Sequence, residues 1–156
     1  MNQSFDAIVV GAGQAGPSLA VRLANAGQKV ALIERHLFGG TCVNTGCTPT
    51  KTMVANAHAA HLARRGRDFG FNAGEIRVDL RAVQARKDAV VQHSRSGVES
   101  WLRGTENCTV IQGHAAFESS RTLRVGNDLL EAPQIFLNVG ARPLIPSMPG
   151  VDKVAF

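Results

Sequence analysis

The stretch that most constrains the fold of this chain is a glycine-rich turn, GAGQAG, at residues 11–16. It follows a short apolar run at 5–10 that predicts a β-strand, and it opens a segment that predicts a helix. In such a turn Gly11 permits the sharp change of direction, and Gly13 permits a pyrophosphate to approach the backbone. Gly16 permits the helix to pack closely on the strand, and the helix N-terminus attracts phosphate.

An acidic residue lies where a nucleotide-binding unit of this kind requires one. The second predicted strand covers residues 29–33 and ends at Glu34, eighteen residues after Gly16. A carboxylate in that place can accept hydrogen bonds from the two hydroxyls of a ribose. The combination of strand, turn, helix and acid predicts a dinucleotide-binding α/β domain. The alternative is a glycine-rich turn that binds no ligand. The pattern does not distinguish FAD from NAD(P).

Two cysteines, Cys42 and Cys47, lie in a Gly- and Thr-rich segment, GGTCVNTGCTPTK. In a regular helix their Cα atoms would be roughly 8.6 Å apart, which is too far for a disulfide bond. A bond between them therefore requires an irregular chain, for which Gly46 supplies the freedom and Pro49 a helix start. Cys47 would then open a helix, with Lys51 one turn further along the same face.

These surroundings favour the thiolate form of Cys47. A helix N-terminus and a nearby cation each stabilise negative charge on sulfur, and the thiolate is the reactive form of cysteine. The alternative is a pair of buried structural cysteines or a short structural disulfide. Inert thiols seldom flank a glycine-rich turn beside a helix start and a lysine, so we expect a redox-active pair.

The segment GGTCVNTGCTPTK resembles the redox-active segment of the flavin-dependent pyridine nucleotide–disulfide oxidoreductases. Its sequence is most similar to that of the mercuric reductase-like branch, in a family that also includes the dihydrolipoamide dehydrogenase-like members. The resemblance implies that FAD is the bound dinucleotide, because a dithiol needs an electron acceptor that it can contact. It also implies that the Cys47 thiol lies against the isoalloxazine, that the Cys42 thiol meets the substrate, and that Lys51 lies near the flavin N5.

A second segment, IFLNVGARPLIP, resembles the family's second glycine signature, in which a strand ends at a glycine beside the dinucleotide. Gly140 matches, whereas Asn138 and Val139 stand where the family often has Ala-Thr, so Val139 is expected to contribute its backbone only. The backbone at Ala115 is expected to contact the adenine. The cofactor-binding residues that the resemblance implies are Gly11, Gly13, Gln14, Ala15, Gly16, Glu34, Arg35, Gly40, Thr41, Gly46, Lys51, His114, Ala115, Val139 and Gly140.

Two long helices are predicted between the second and third strands. The first begins near Cys47 and ends at a basic stretch around Arg64, and the second begins at the capping residue Asp79 and ends at Gly104. Because they follow the second strand without an immediate return strand, we interpret them as an excursion from the sheet. The basic residues of the second helix are expected on its solvated side: Arg81, Arg86, Lys87, Arg95 and Arg103.

The later part of the chain predicts short strands. The first covers 109–112, beside Cys108, which we interpret as a small buried hydrophobic residue. Segments 121–125, 128–131 and 134–139 predict a small antiparallel meander that leads back into the main sheet. On the first long helix His58 and His61 are three positions apart. No cysteine or carboxylate lies near them on that helix, so we expect surface histidines and no metal site.

Composition excludes several other classes of protein. The chain has 156 residues, of which 44% are hydrophobic and 19% charged, as is ordinary for one globular domain. The net charge of +5 is spread along a sequence with only 5% aromatic residues, so we expect no nucleic-acid partner. No apolar run is long enough to span a membrane, and the apolar start lacks the basic region of a secretory signal. We therefore expect a cytoplasmic protein whose cysteines serve redox chemistry.

These observations predict an incomplete, doubly wound, Rossmann-like FAD/NAD(P)-binding domain with a small antiparallel meander. Residues 1–156 are expected to be the N-terminal part of a FAD-binding domain, without the nicotinamide-binding and dimerisation domains, and inactive alone. The resemblance implies a homodimeric full-length enzyme that passes electrons from NAD(P)H through FAD to the Cys42–Cys47 pair. A small-molecule disulfide, a thiol or a metal ion such as mercuric ion would be its substrate. The alternative is a non-catalytic flavin- or NAD-binding remnant.

Overall fold

The structure is a computed structural model that describes residues 2–155; Met1 and Phe156, the ends of the predicted domain, lie outside the described residues. Its strands and helices alternate in the first part of the chain, and short strands dominate the later part. In chain order the elements are β1 (Asn2–Ser4), β2 (Ala7–Val10), α1 (Ala15–Asn25), β3 (Val30–Glu34), α2 (Gly40–Asn44), α3 (Cys47–Arg64), a 3-10 turn (Gly66–Phe69), α4 (Leu80–Arg103), β4 (Cys108–Gln112), β5 (Ala115–Phe117), β6 (Thr122–Val125), β7 (Asp128–Glu131), β8 (Gln134–Leu137) and a second 3-10 turn (Val151–Lys153).

Four parallel strands form the main sheet in the order β4-β3-β2-β8. Ala7 of β2 lies opposite Val30 of β3 on one side and opposite Gln134 of β8 on the other. The chain thus adds two strands on one side of β2 before it crosses to the other side, which is the order of doubly wound sheets. The predicted doubly wound, Rossmann-like α/β class is confirmed.

Both faces of the main sheet are buried, because successive side chains of a strand point to opposite faces. Val9 and Leu32 pack on one face against α1 and Leu102 of α4. Ile8 and Ile33 pack on the other face against the small sheet. All five side chains are at most 1% exposed, and each contributes about 1.5–3 kcal/mol by leaving water. The alternation explains why these strands are apolar throughout.

The small sheet has the order β1-β7-β6-β5, with antiparallel pairs β7-β6 and β6-β5 and a parallel pair β1-β7. The predicted meander is therefore present, but its composition was partly wrong. Its third antiparallel strand is β5, whereas β8 pairs with β2 in the main sheet. Phe136 of β8 packs against the helix-side core, and Ile135 packs against the small-sheet side. Burial on both faces places β8 in the main sheet.

Of the two long helices only α3 is an excursion from the sheet, so the prediction is confirmed for α3 and wrong for α4. Helix α4 contacts α1 and β4, its residue Leu102 is buried in the helix-side core, and it leads directly into β4. It is therefore the crossover between the parallel strands β3 and β4. Helix α3 packs on α4 rather than on the sheet. Among residues 2–155, no helix combines the length and the apolar character needed to cross a membrane.

The predicted start of α4 is confirmed by its capping contacts. The Asp79 carboxylate accepts hydrogen bonds from the backbone N–H groups of Arg81, at 2.9 Å, and Ala82, at 3.2 Å. These donors have no partner within the helix itself, because the first turn of any helix lacks upstream carbonyls. A capped start fixes where α4 begins. At the far end of α4, Leu102 is buried in the helix-side core, so both ends of the helix are held.

Candidate functional site

One cleft of about 980 Å³ opens at the carboxyl ends of the four parallel strands, at the upper end of the range of about 300–1,000 Å³ usual for ligand sites. Ligands of open α/β sheets bind in this position. The residues just beyond each strand line it: the glycine turn after β2, Glu34 at the end of β3, His114 after β4, and Val139 after β8. Helix α2 and the start of α3 border the same cleft and bring Cys42 and Cys47 to it.

The glycine turn is fixed by a side chain that lies just beyond strand β8. Helix α1 has no side-chain cap of its own at Gln14. With its amide oxygen toward the turn, Asn138 accepts from the N–H of Gly16 at 2.9 Å and from the N–H of Gly13 at 3.3 Å. We adopt this orientation because the opposite one makes a single bond of 3.3 Å, to the Gly11 carbonyl. Asn138 thus caps α1 from the sheet side and leaves the outer side of the turn to the cleft.

Glu34 is held in one orientation by two backbone groups. Its Oε2 accepts from the N–H of Ala12 and its Oε1 accepts from the N–H of His36, each at 2.8 Å. A carboxylate has about four lone-pair sites, so each oxygen keeps acceptor capacity. Because Glu34 also lines the cleft, that capacity is available to hydroxyl donors there. The geometry agrees with the predicted role in holding a ribose.

The segment that carries the cysteines packs directly on the glycine turn. The N–H of Gly39 donates to the carbonyl of Ala12 at 2.8 Å, and the Gln14 amide donates to the Gly39 carbonyl at 3.4 Å. Gly40 has φ of 58°, and a Cβ there would lie 2.8 Å from the Cα of Gly13. Only glycine combines that dihedral angle with that approach. The two motifs that the sequence presents separately are therefore one structural unit.

The two cysteines lie on separate helices with an irregular joint between them. Cys42 is in α2, Cys47 is the first residue of α3, and Gly46 between them has φ −116° and ψ −108°. The predicted irregular chain and the predicted helix start at Cys47 are both confirmed. All three cysteines of the chain are free thiols in this structure. Cys47 is exposed and Cys42 is half-buried, so both sulfurs can be reached from the cleft.

The surroundings of the thiol pair raise the pKa of Cys42. A hydrogen bond between the two thiols raises the pKa of Cys42, and loss of solvent and the charge of Cys47 raise it further. A backbone hydrogen bond with Cys47 and the charge of Lys51 lower that pKa in part. The contact between the thiols therefore stabilises the protonated form of Cys42 in the reduced pair. Burial alone raises the pKa of the distant Cys108, in agreement with its predicted role as an apolar core residue.

Most of the predicted site residues meet in this cleft, and three do not line it. Lys51 is exposed on α3, one turn beyond Cys47, and its proposed place beside a flavin stays a prediction. Gly16 is buried, and a Cβ on it would lie 2.0 Å from the Gly11 carbonyl oxygen, so it serves packing. Ala15 is exposed at the start of α1. The predicted residues that line the cleft are Gly11, Gly13, Gln14, Glu34, Arg35, Gly40, Thr41, Cys42, Gly46, Cys47, His114, Ala115, Val139 and Gly140.

Two asparagines that shape the site, Asn138 and Asn44, were not predicted from the sequence as site residues. Asn138 was noticed only as a departure from Ala-Thr. Asn44, at the end of α2, donates to the carbonyls of Phe38, at 2.9 Å, and Gly40, at 2.8 Å. The prediction for Arg95 was wrong: it is half-buried and donates through Nε to the Asn44 side chain at 2.8 Å.

The described part of the chain holds no group of three or more His, Cys, Asp or Glu residues that could bind a metal ion. A model of the pyridine nucleotide-disulphide oxidoreductase family matches residues 5–156. The chain belongs to this family. Membership confirms the resemblance predicted from the cysteine segment and the second glycine signature. Members of this family depend on FAD and use NAD(P)H, which agrees with the cofactors expected from the sequence.

Three curated members of the family illustrate the similarity. Dihydrolipoyl dehydrogenase of Acholeplasma laidlawii is 32% identical over 154 residues, covering 98% of the chain and 46% of the relative. The probable pyridine nucleotide-disulfide oxidoreductase RclA of Escherichia coli (strain K12) is 40% identical, covering 94% and 31%. Mercuric reductase of Lysinibacillus sphaericus is 32% identical, covering 98% and 28%. The chain thus spans less than half the length of each of these relatives.

Solved structures of the family agree with the fold. The Cu(II) complex of the HOCl-induced flavoprotein disulfide reductase RclA from Escherichia coli superposes with a TM-score of 0.78 at 37% identity, covering 96% of this chain and 31% of that one. The structure of RclA described without copper gives a TM-score of 0.74 at 38% identity, covering 93% and 30%. The predicted α/β fold is therefore shared with solved flavoproteins.

The contact between the thiols makes a testable prediction about Cys42. In Cys47→Ala we expect the pKa of Cys42 to fall, because the largest cause of its elevation is removed. In Lys51→Met we expect it to rise, because a cation that favours the thiolate is lost. The measurement is the rate of iodoacetamide alkylation of Cys42 against pH in the reduced chain, followed by peptide mass spectrometry. Cys108 serves as the internal reference. An alkylation midpoint for Cys42 that stays or rises in Cys47→Ala would contradict the assignment.

Proposed function

We propose that, in the natural polypeptide that contains these residues, FAD binds in this cleft and passes electrons from NAD(P)H to the Cys42–Cys47 pair. The pair then reduces a disulfide, a thiol-bound group or a metal ion. The observation that carries the proposal is that the thiol pair and the glycine turn border one cleft and pack on each other. A relative of similar fold is described as a flavoprotein disulfide reductase, which supports the same class of reaction.

The residues present fit a dinucleotide of this kind. Glu34 offers oriented acceptors for the adenosine ribose, and a carboxylate there would repel a 2′-phosphate, which favours FAD over NADP at this site. The glycine turn and the start of α1 offer backbone N–H groups to the pyrophosphate. His114, Ala115 and Gly140 line the same cleft, and the family resemblance assigns the Ala115 backbone to the adenine. When bound, FAD would supply two-electron transfer between a nicotinamide and a disulfide.

The chain's own thiols perform the exchange with the substrate. In the reduced pair, the Cys42 thiolate attacks one sulfur of a substrate disulfide, which forms a mixed disulfide and releases the other sulfur as a thiol. The Cys47 thiolate then attacks Cys42, releases the second substrate thiol and closes the Cys42–Cys47 disulfide. Two electrons leave the pair, and the two protons of its thiols end on the products. Lys51 assists because its charge favours the Cys42 thiolate.

The substrate class rests on the thiols and on the relatives together. A disulfide substrate follows from the exchange chemistry of an accessible pair. A mercuric substrate is the second candidate, because the cysteine segment resembles that of mercuric reductases and one such relative is 32% identical. A homodimer in the cytoplasm remains our expectation for the whole protein. The competing proposal, a non-catalytic flavin- or NAD-binding remnant, assigns no redox work to the thiols.

The proposal predicts the thiol count of protein isolated in air. We expect Cys42 and Cys47 to be joined by a disulfide and only Cys108 to react with a thiol reagent, because Cys42 and Cys47 line one cleft on either side of a single irregular turn. The measurement is thiol titration under denaturing, non-reducing conditions, with peptide mapping to locate the bond. After reduction all three thiols should react. Three free thiols in an air-equilibrated sample would contradict a redox role and would favour the remnant.

The role of Glu34 predicts a loss of cofactor affinity. In Glu34→Gln one acceptor oxygen becomes a donor, which disrupts the bond from Ala12 or from His36 and removes the charge. A hydrogen bond to a charged group contributes about 1.5–3 kcal/mol, so the Kd for FAD should rise roughly 10- to 100-fold. Flavin fluorescence titration of the natural polypeptide measures it. Glu106→Gln, an exposed acid outside the cleft, is the matched control. Equal Kd values for the two variants would contradict FAD binding at Glu34.

A further inference from the structure

The end of helix α2 is held by a single side chain, that of Asn44, which makes three hydrogen bonds. The Asn44 amide nitrogen donates to the carbonyls of Phe38, at 2.9 Å, and Gly40, at 2.8 Å. Its oxygen accepts from Nε of Arg95 at 2.8 Å. Asn44 thus joins the loop preceding the helix, the first turn of the helix, and a distant helix. It lies two residues from Cys42 and borders the cleft.

Arg95 makes this contact from a rigid support. It lies 51 residues along the chain from Asn44, on α4, and its guanidinium is also held by the Gln92 side chain at 3.1 Å. Val91 and Leu102 anchor this part of α4 because both are buried. The partly buried guanidinium therefore presents a fixed donor to α2.

Helix α2 needs outside support to keep one orientation. It has five residues, its start at Gly39 has no side-chain cap, and Val43 is its one buried residue. A single helical turn is marginal without tertiary contacts, because nucleation fixes several residues for few hydrogen bonds. Asn44 and Arg95 are the side chains that tie its end to the larger helix. Since Cys42 lies on this turn, its distance from Cys47 depends on the same contacts.

We propose that Arg95, acting through Asn44, is a positioning residue that keeps Cys42 close enough to Cys47 for their disulfide to form. The proposal rests on the redox role given to the pair above. A disulfide requires Cβ atoms about 3.5–4.5 Å apart, so freedom of α2 lowers the fraction of reduced molecules ready to close the bond. Strain or freedom that disfavours the disulfide makes the pair easier to reduce.

The test is the equilibrium of the pair with glutathione. Glutathione disulfide is reduced to two glutathione molecules as the Cys42–Cys47 bond forms, so two electrons and two protons move from the pair to glutathione. In Arg95→Met we expect the constant for disulfide formation to fall about tenfold, which is about 30 mV for a two-electron couple. Acid quenching, alkylation and mass spectrometry of the full chain give the oxidised fraction at each glutathione ratio.

The chain offers a matched control on the same helix. Arg86 of α4 donates to the Asn56 side chain of α3 at 3.2 Å, which is also an Arg–Asn bond between helices but does not involve α2. Arg86→Met should leave the equilibrium constant unchanged. Urea unfolding of the reduced proteins separates the two roles. If Arg95 had only a structural role, Arg95→Met would lower stability as Arg86→Met does, and neither variant would change the equilibrium constant for disulfide formation.

A second substitution tests the route through Asn44. Asn44→Ala should lower the constant at least as far as Arg95→Met, and adding Arg95→Met to it should cause no further change, because the two side chains act as one unit. If Arg95→Met loses its helical circular dichroism signal, Arg95→Lys is tested in its place. We expect a smaller fall in the equilibrium constant for disulfide formation in that variant.

The outcomes separate this proposal from the one on which it rests. A wild-type chain that never closes the Cys42–Cys47 disulfide would overturn the proposed function. A wild-type chain that closes it, with an unchanged constant in Arg95→Met, would overturn the positioning role alone. A full additional fall in the double variant would also overturn it, because Arg95 would then act by another route.

Discussion

The close packing of the cysteine segment on the glycine turn is the constraint on which the rest of the site depends. The bond from the Gly39 N–H to Ala12 and the approach of Gly40 to Gly13 leave no space for a side chain between the two segments. A dinucleotide that binds along the glycine turn would therefore lie close to the two thiols. The backbone contacts fix the position of the dithiol relative to the dinucleotide site. This explains why the cysteine segment contains glycines that a redox pair alone would not require.

The larger fold serves this contact by fixing both segments. The parallel sheet gathers the ends of β2, β3, β4 and β8 at one edge, and two buried faces hold it rigid. Asn138, just beyond β8, caps the helix that follows the glycine turn, and Arg95 from α4 reaches the turn that carries Cys42. Elements far apart in the chain thus hold the two sides of the cleft. Such support is what a site needs when reacting atoms must be held within about 0.5 Å of their working geometry.

Much of this arrangement could be predicted from local sequence. The glycine turn, the acid at Glu34, the helix start at Cys47 and the cap at Asp79 each depend on neighbouring residues, and each was placed correctly. The contacts of Asn44 with Arg95 and of Asn138 with Gly16 could not be predicted, because they span 51 residues and more of chain. The same limit explains the error at β8, since periodicity identifies a strand but not the neighbour with which it pairs. The three-residue strand β5 was not predicted as a strand at all.

The central claim is that the cleft couples a flavin to the Cys42–Cys47 pair. Anaerobic reductive titration of the natural polypeptide, saturated with FAD and followed by flavin absorbance, tests it most directly. The account predicts four electrons taken up for each FAD, two by the disulfide and two by the flavin, and two electrons in the variant with both cysteines changed to serine. Uptake of only two electrons by the unsubstituted protein, with the disulfide intact at the end, would contradict it.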